Sequence, residues 1–244
     1  MAAMPAETLE GILLRHPVWR GGPLSCATPA TPSGFEALDR ELPGGGWPAG
    51  ALTELFARRA GIGELQLLLP ALASLSWAGK RIVWLAPPHL PYAPALAAGA
   101  IDLARLVLVR APGRGDAVRR NTLWAAEQVL RSAACHALVV WLPGARYEEL
   151  RRLAVAAETS RAWVALFRPP EAAYAASPAA LRMLLEPSSN ELSVRILKRR
   201  GAPAAAPLVL PVKRPVHALG RTAFPAPAAS HAGGDRRLGV PVHA

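Results

Sequence analysis

An α/β fold, a mostly parallel sheet flanked by helices, is the architecture this sequence predicts, on three observations. The segments RIVWLA (81–86), HALVVWLP (136–143) and WVALF (163–167) are nearly unbroken apolar runs, as strands buried on both faces require. Between such runs, apolar residues recur at helical spacing: Leu123, Ala126, Leu130 and Ala134, then Tyr147, Leu150, Leu153 and Ala157. Glycine and proline punctuate the junctions. Alternation of buried strands with amphipathic helices is the pattern of a parallel sheet covered on both faces.

The elements follow in order. Residues 1–30 read as an arm, with a short helix over Ala6–Arg15 and then HPVWRGG, where Pro17, Gly21, Gly22 and Pro23 break regular structure. Trp19 and Arg20 in that arm are candidate partner anchors, being of the residue types that dominate interface energetics. Residues 31–211 read as the core. A short helix ends near Leu42, the turn PGGGWPAG (43–50) leads into a strand over Ala51–Phe56, and a second glycine loop opens a helix from Glu64 to about Ala78, closed by Gly79. Pro70 lies inside that helix. The next strand ends at Pro87-Pro88, a helix over Tyr92–Ala98 is closed by Gly99, and a turn at Asp102 precedes a strand over Leu106–Val109. Asp116 opens the helix that runs to about Ala134. After the strand Trp163–Phe167, Ser177-Pro178 carries the signature of a helix start leading into AALRMLLEP. SSNEL reads as a turn, Leu192–Gly201 as a strand of a hairpin paired with Arg182–Glu186, and PLVL as an edge strand. Residues 212–244, rich in proline, alanine and glycine and carrying Lys213 and Arg214, read as a disordered basic tail.

At 244 residues the chain fits one domain with an arm and a tail. Its apolar residues are distributed through amphipathic segments and no run approaches the length of a membrane span, so a soluble, cytoplasmic protein without membrane contact is expected. Glu7 and Glu10 stand where a signal peptide carries positive charge. Cys26 and Cys135 are far apart and lack metal-ligand spacing, which favours reduced thiols. The net charge of +11 suits an acidic partner, either nucleic acid or an acidic protein surface, but the cations are scattered and an alanine-, arginine- and proline-rich composition accounts for them equally well. Lys198, Arg199, Arg200, Lys213 and Arg214 are the candidate contacts to a partner or to DNA.

The strand–glycine loop–helix order at 51–78 is that of a phosphate-binding loop, whose pattern GxxxxGK[ST] uses glycines to bring backbone N–H groups around phosphate, a lysine to neutralise charge and a hydroxyl to hold magnesium. Over Arg58–Leu65 that chemistry is lost. Arg58 stands for the first glycine, Gly63 survives as the second, Glu64 replaces the lysine and Leu65 the hydroxyl, while Gly61 keeps the loop turned. A carboxylate at a helix start favours the helix dipole and repels a bound anion, so Glu64 is expected to stabilise the turn rather than serve a nucleotide. No cofactor and no metal are expected: the six histidines are dispersed, and Asp116 and Glu127 form no acid/base pair.

Ser33-Gly34-Phe35, Leu38-Asp39, Gly44-Gly45-Gly46, Pro48, Gly50 and Glu54-Leu55 together resemble the opening of the RecA recombinase core, a likeness that continues coarsely to about Leu210. The strings HPVWRG, PGGGWPAGALTEL, GIGELQLLLPAL, PPHLPYAPAL, WAAEQVLRSAACHALVVWLP and FRPP resemble more closely the ImuA family, RecA-like accessory factors of the SOS response, translesion synthesis and damage-induced mutagenesis in DNA repair. The resemblance implies a RecA-like (P-loop-like) core with a C-terminal β-hairpin. It implies as partners an ImuB-like relative of Y-family polymerases and an error-prone DNA polymerase subunit, with RecA as a further candidate, and a nucleoid-associated location when engaged. It also implies an alternative, because ImuA-like sequences are similar to SulA, the SOS cell-division inhibitor that binds FtsZ. RecA's working residues do not carry over. Glu64 and Leu65 replace the loop lysine and hydroxyl, Trp141 stands where the magnesium-holding aspartate is expected, Pro87 or Pro88 where the catalytic glutamate is expected, and Arg168 where a glutamine senses nucleotide. The DNA-binding loop is reduced to PPEAAYAAS. Phosphoryl transfer needs the metal, the phosphate cradle and the oriented water together, so a noncatalytic scaffold is expected.

Overall fold

In the computed structural model, which describes residues 29–188, 191–200 and 206–212, the apolar runs become the strands of a mostly parallel sheet and the periodic segments its helices. The chain divides into two units, 1–214 and 215–244, the second wholly outside the described residues. In chain order the elements are β1 (Ala30–Thr31), α1 (Glu36–Glu41), β2 (Trp47–Pro48), β3 (Leu52–Ala57), α2 (Glu64–Trp77), β4 (Ile82–Leu85), α3 (Ala93–Ala98), β5 (Leu106–Val109), α4 (Asp116–Arg131), β6 (Ala137–Trp141), α5 (Tyr147–Ser160), β7 (Trp163–Arg168), β8 (Leu181–Ser188), β9 (Glu191–Lys198) and β10 (Leu208–Pro211). Short 3-10 turns at Leu103–Arg105 and Pro170–Tyr174 complete the set.

The main sheet has the order β10-β9-β8-β3-β7-β6-β4-β5 among the described residues. All pairings from β8 to β5 are parallel, and β9 and β10 add antiparallel at one edge. Strand β3 is therefore central, between β7 and β8, and every residue from Leu52 to Phe56 is buried. Side chains alternate across the sheet. Leu55, Trp84, Val139, Ala165 and Met183 join the apolar cluster under α2 and α3, and Leu52, Leu85, Leu138, Val164 and Leu166 the cluster under α4 and α5. Chain travel from β3 to β5 thus uses one face and the return to β7 the other, as connections of a single hand require.

Helix α2 keeps its proline because of what lies outside it. Pro70 is exposed, and its ring packs against Gly34, where an added Cβ would sit 2.4 Å from Pro70 Cβ; Gly34 also holds φ +86°. Inward, Leu67, Leu68 and Leu72 are fully buried, each worth about 1.5–3 kcal/mol of transfer free energy. A second anchor is aromatic: the Trp47 and Trp163 rings stack at 4.9 Å, tying the β1–β2 ribbon to the sheet.

Two expectations fail. Ser177-Pro178 begins no helix: the Ser177 hydroxyl accepts a hydrogen bond from Ala179 N at 3.1 Å, and the chain then enters β8. Leu181, Met183 and Leu185 alternate with Arg182 and Leu184, and pairing with β3 turns that period-two pattern into a strand, overriding a local cap signal. The hairpin with β9 forms as expected, with Glu186 opposite Ser193. Helix α4 stops at Arg131, and Ala134 is exposed, because Ala133 takes φ +49° and ends the turn before the period completes. The arm helix, Trp19, Arg20, Lys213, Arg214 and nearly all of the tail lie outside the described residues.

Cys135, at the entry to β6, is 2% exposed and unbridged. Burial pushes its thiol from the ordinary 9.0 up to about 11. The neutral thiol is the form the fold prefers, so its contribution to stability is complete below pH 9 and declines as pH rises toward 11. At pH 8 the folded protein holds about 100-fold less thiolate than the unfolded chain. In a Cys26→Ser background, alkylation of Cys135 is expected to be markedly slower in buffer than in urea, and equal rates would contradict the burial.

Candidate functional site

A cleft of about 470 Å³ opens at the carboxyl ends of β3, β4, β6 and β7, the place where open α/β sheets bind ligands. Its first wall is made by Arg59 and Ala60 of the glycine loop that follows β3 and by Glu64 at the start of α2. Gly63 takes φ +102° and Gly61 φ +83°, which aims the amides of the turn toward one point at the start of α2. That point is occupied from within. Glu64 is 5% exposed, and its Oε1 accepts from Gly61 N and its Oε2 from Ile62 N, both at 2.9 Å. The amides that would cradle a phosphate are held by the chain's own carboxylate. Gly63, the surviving glycine, is needed for a close approach as well: an added Cβ would lie 2.8 Å from Val212 Cγ2, at the exit of β10. Leu65 turns to the apolar cluster. Arg58 is exposed at the head of the loop.

The second wall is aromatic and prolyl. Trp141, half-buried at the end of β6, stacks on Phe167 at 5.1 Å and meets Trp84 edge-on at 5.9 Å. Ala86 takes φ +52° before Pro87-Pro88, so the segment after β4 turns sharply and presents a ring where a carboxylate could otherwise reach the cleft. Among the described residues lining the cleft, Glu64 supplies the sole carboxylate, and it faces its own loop. His89 and Arg59 sit exposed at the rim.

Behind the cleft lies an arrangement that sequence reasoning did not assemble. Glu54, in the middle of β3, is 0% exposed. Its Oε1 accepts from Arg168 Nη1 at 2.6 Å and its Oε2 from Arg182 Nε at 2.7 Å. Arg182 is directly across from Glu54 on β8, and Arg168 ends β7 beside Phe56. Both guanidiniums reach further. Arg168 Nη2 donates to Ala145 O at 2.7 Å, and Arg182 Nη2 to Ala172 O and Ala175 O at 3.2 and 3.0 Å, while Arg182 lies over the Phe56 ring at 5.1 Å. One buried carboxylate thereby fastens the loop after β6 and the segment PPEAAYAAS after β7 to the central strand. Arg168 is part of this fastening. The signal available in sequence was a glutamate within LTELF and an arginine ending WVALFR, charges in otherwise apolar strands that need each other once buried.

The other candidate residues lie elsewhere. Lys198 pairs in register with Arg182, at the opposite end of the sheet from the loop. Its Nζ donates to Ser177 O at 3.0 Å, and burial together with the neighbouring Arg182 holds its ammonium below the ordinary lysine value. Arg199 donates to the Glu41 carboxylate at 2.8 Å and also to the Glu41 carbonyl. Arg200 is exposed. The loop residues and the β9 cations are therefore not one site. Among the described residues no helix is long and apolar enough to cross a membrane, and no three His, Cys, Asp or Glu side chains converge as metal ligands would. No protein-family model matches the chain, and the search of curated proteins returned no match.

Proposed function

We propose that this protein is a noncatalytic, RecA-like accessory factor of the ImuA type, working in SOS-associated translesion synthesis and induced mutagenesis through protein contacts with polymerase subunits. One observation carries the reading: the phosphate cradle is kept in shape and filled by Glu64. A fold that had lost nucleotide chemistry by drift would be free to lose the loop geometry too; here a carboxylate holds it at the helix dipole, so the scaffold is retained and the catalyst is not. The strand order supports the RecA-like part, since the strand before the loop is central and its neighbours come from the end of the parallel run, unlike the common dinucleotide-binding orders. The engagement of Lys198 and Arg199 with Ser177 and Glu41 favours protein partners over a phosphate-reading surface at that end of the sheet.

The test is a pull-down of the tagged full-length protein from DNA-damaged cells, with the captured proteins identified by mass spectrometry. An ImuB-like polymerase relative or an error-prone polymerase subunit is the expected catch. Recovery of FtsZ without any polymerase subunit overturns the reading in favour of division control.

A further inference from the structure

Glu64 fills the phosphate cradle but not the cleft in front of it, where about 470 Å³ remains open, a volume in the range of small-molecule sites. Trp141 and Phe167, stacked at 5.1 Å, give the cleft a flat aromatic wall. Pro88, Pro143 and Pro169 line it with rigid rings that offer a ligand no side-chain donor or acceptor. Ionisable chemistry therefore enters through Arg59, Glu64, His89 and Arg168 alone among the described lining residues. Both oxygens of Glu64 are engaged by the Gly61 and Ile62 amides, whereas Arg59, exposed at the rim, has no ion-pair partner among the described residues.

The charge behind this wall is unbalanced. Glu54 is one carboxylate shared between Arg168 and Arg182, so the three buried side chains carry a net positive charge. Arg168 is the member that lines the cleft, and it is 7% exposed. Its Nη1 and Nη2 donate to Glu54 and to Ala145 O, while its Nε is buried without a hydrogen-bond partner among the described residues. A net cation in low-dielectric surroundings is costly until a counter-ion approaches, and the cleft is where one can do so.

We infer that the cleft binds a planar aromatic carboxylate, with its ring on the Trp141–Phe167 wall and its acid group toward Arg59 and Arg168. A carboxylate suits this site where a nucleoside phosphate does not. The loop amides are already engaged by Glu64, so a phosphate finds no cradle. A single negative charge, by contrast, is matched by the rim guanidinium and by the net charge of the Glu54 cluster. Aromatic faces and a few placed charges are also what orients a small ligand in an apolar pocket. This binding site goes beyond the accessory role and is independent of it, since polymerase contacts do not require an occupied cleft.

Titration of the full-length protein with naphthoate and with the neutral alcohol naphthylmethanol, followed by saturation-transfer NMR of the ring protons, tests it. Naphthoate is expected to bind saturably with a Kd of about 1 mM or below, as a ligand of its size allows, and at least about fivefold more tightly than the alcohol. Arg59→Glu, a change at an exposed rim position, is expected to weaken naphthoate about tenfold and to leave the alcohol unchanged. Trp141→Ala is expected to weaken both probes, because it removes the stacking wall. Equal affinity for the two probes overturns the inference, as does naphthoate binding that Arg59→Glu leaves intact, which assigns the probe to another surface even if Trp141→Ala fails to fold. Displacement of naphthoate by an equal concentration of ATP also overturns it, by showing that the cleft still takes a nucleotide.

Discussion

Glu54→Ala is expected to cost about 3–5 kcal/mol of folding stability, the range for breaking a buried ion cluster by removing one partner. The reasoning is electrostatic. Arg168 and Arg182 are 7% and 9% exposed, and with Glu54 gone two guanidiniums remain close together in a low-dielectric interior. Their bonds to the carbonyls of Ala145, Ala172 and Ala175 survive as dipole contacts, but dipoles do not cancel two net charges. The triple change Glu54→Leu/Arg168→Met/Arg182→Leu removes all three charges together and is expected to lie within about 1–2 kcal/mol of the wild type, because the desolvation cost leaves with the attraction. Urea unfolding followed by tryptophan fluorescence measures both. A loss under about 1 kcal/mol for Glu54→Ala would show that the arginines reach water, and the cluster would then not be the fastening described. A loss in the single variant with near-recovery in the triple one is the signature of a carboxylate that fixes geometry more than it adds net stability.

Much of the sheet was legible in the sequence for a specific physical reason. A parallel strand buried on both faces must be apolar along its whole length, so IVWL, ALVVW and WVALF declare themselves without reference to any partner. Strand β8 declared itself only in part: Arg182–Glu186 read as one strand of a hairpin, but the serine and proline ahead of it read as a helix start, and only one of its faces is packed under α2 while the other carries Arg182. What decided it was pairing with β3, a contact that no local pattern contains. The same limit hid the buried cluster: Glu54 is 114 residues from Arg168 and 128 from Arg182, and only the strand order makes them neighbours. The degenerate loop was readable as a substitution of chemistry, since Glu64 stands where a cation belongs. Its bidentate hold on Gly61 and Ile62 was not readable, because it depends on the two glycine conformations that turn those amides inward.

That bidentate hold is the basis of the second large effect. Glu64→Ala removes both acceptors at once and leaves two amide donors at a helix start. The Ile62 amide is in buried surroundings, whereas Gly61 is exposed and can turn to water. Charge-assisted hydrogen bonds contribute about 1.5–3 kcal/mol each, and a carboxylate at a helix N-terminus a further fraction, so with one donor rescued by solvent the expected loss is about 2–3 kcal/mol. Glu64→Gln is expected to fall between, since its single amide oxygen can serve only one of the two donors. The kinetic expectation separates this structural role from any nucleotide role. Neither the wild type nor Glu64→Ala should hydrolyse ATP above background with magnesium and single-stranded DNA, because emptying the cradle restores neither a lysine nor a magnesium ligand at Trp141 nor a base at Pro87-Pro88. Magnesium-dependent turnover in the wild type that disappears in Glu64→Ala would make the carboxylate a working group and would end the noncatalytic reading. A stability loss without any change in turnover leaves Glu64 with one function, which is to hold the Gly61 and Ile62 amides and so fix the turn at the start of α2.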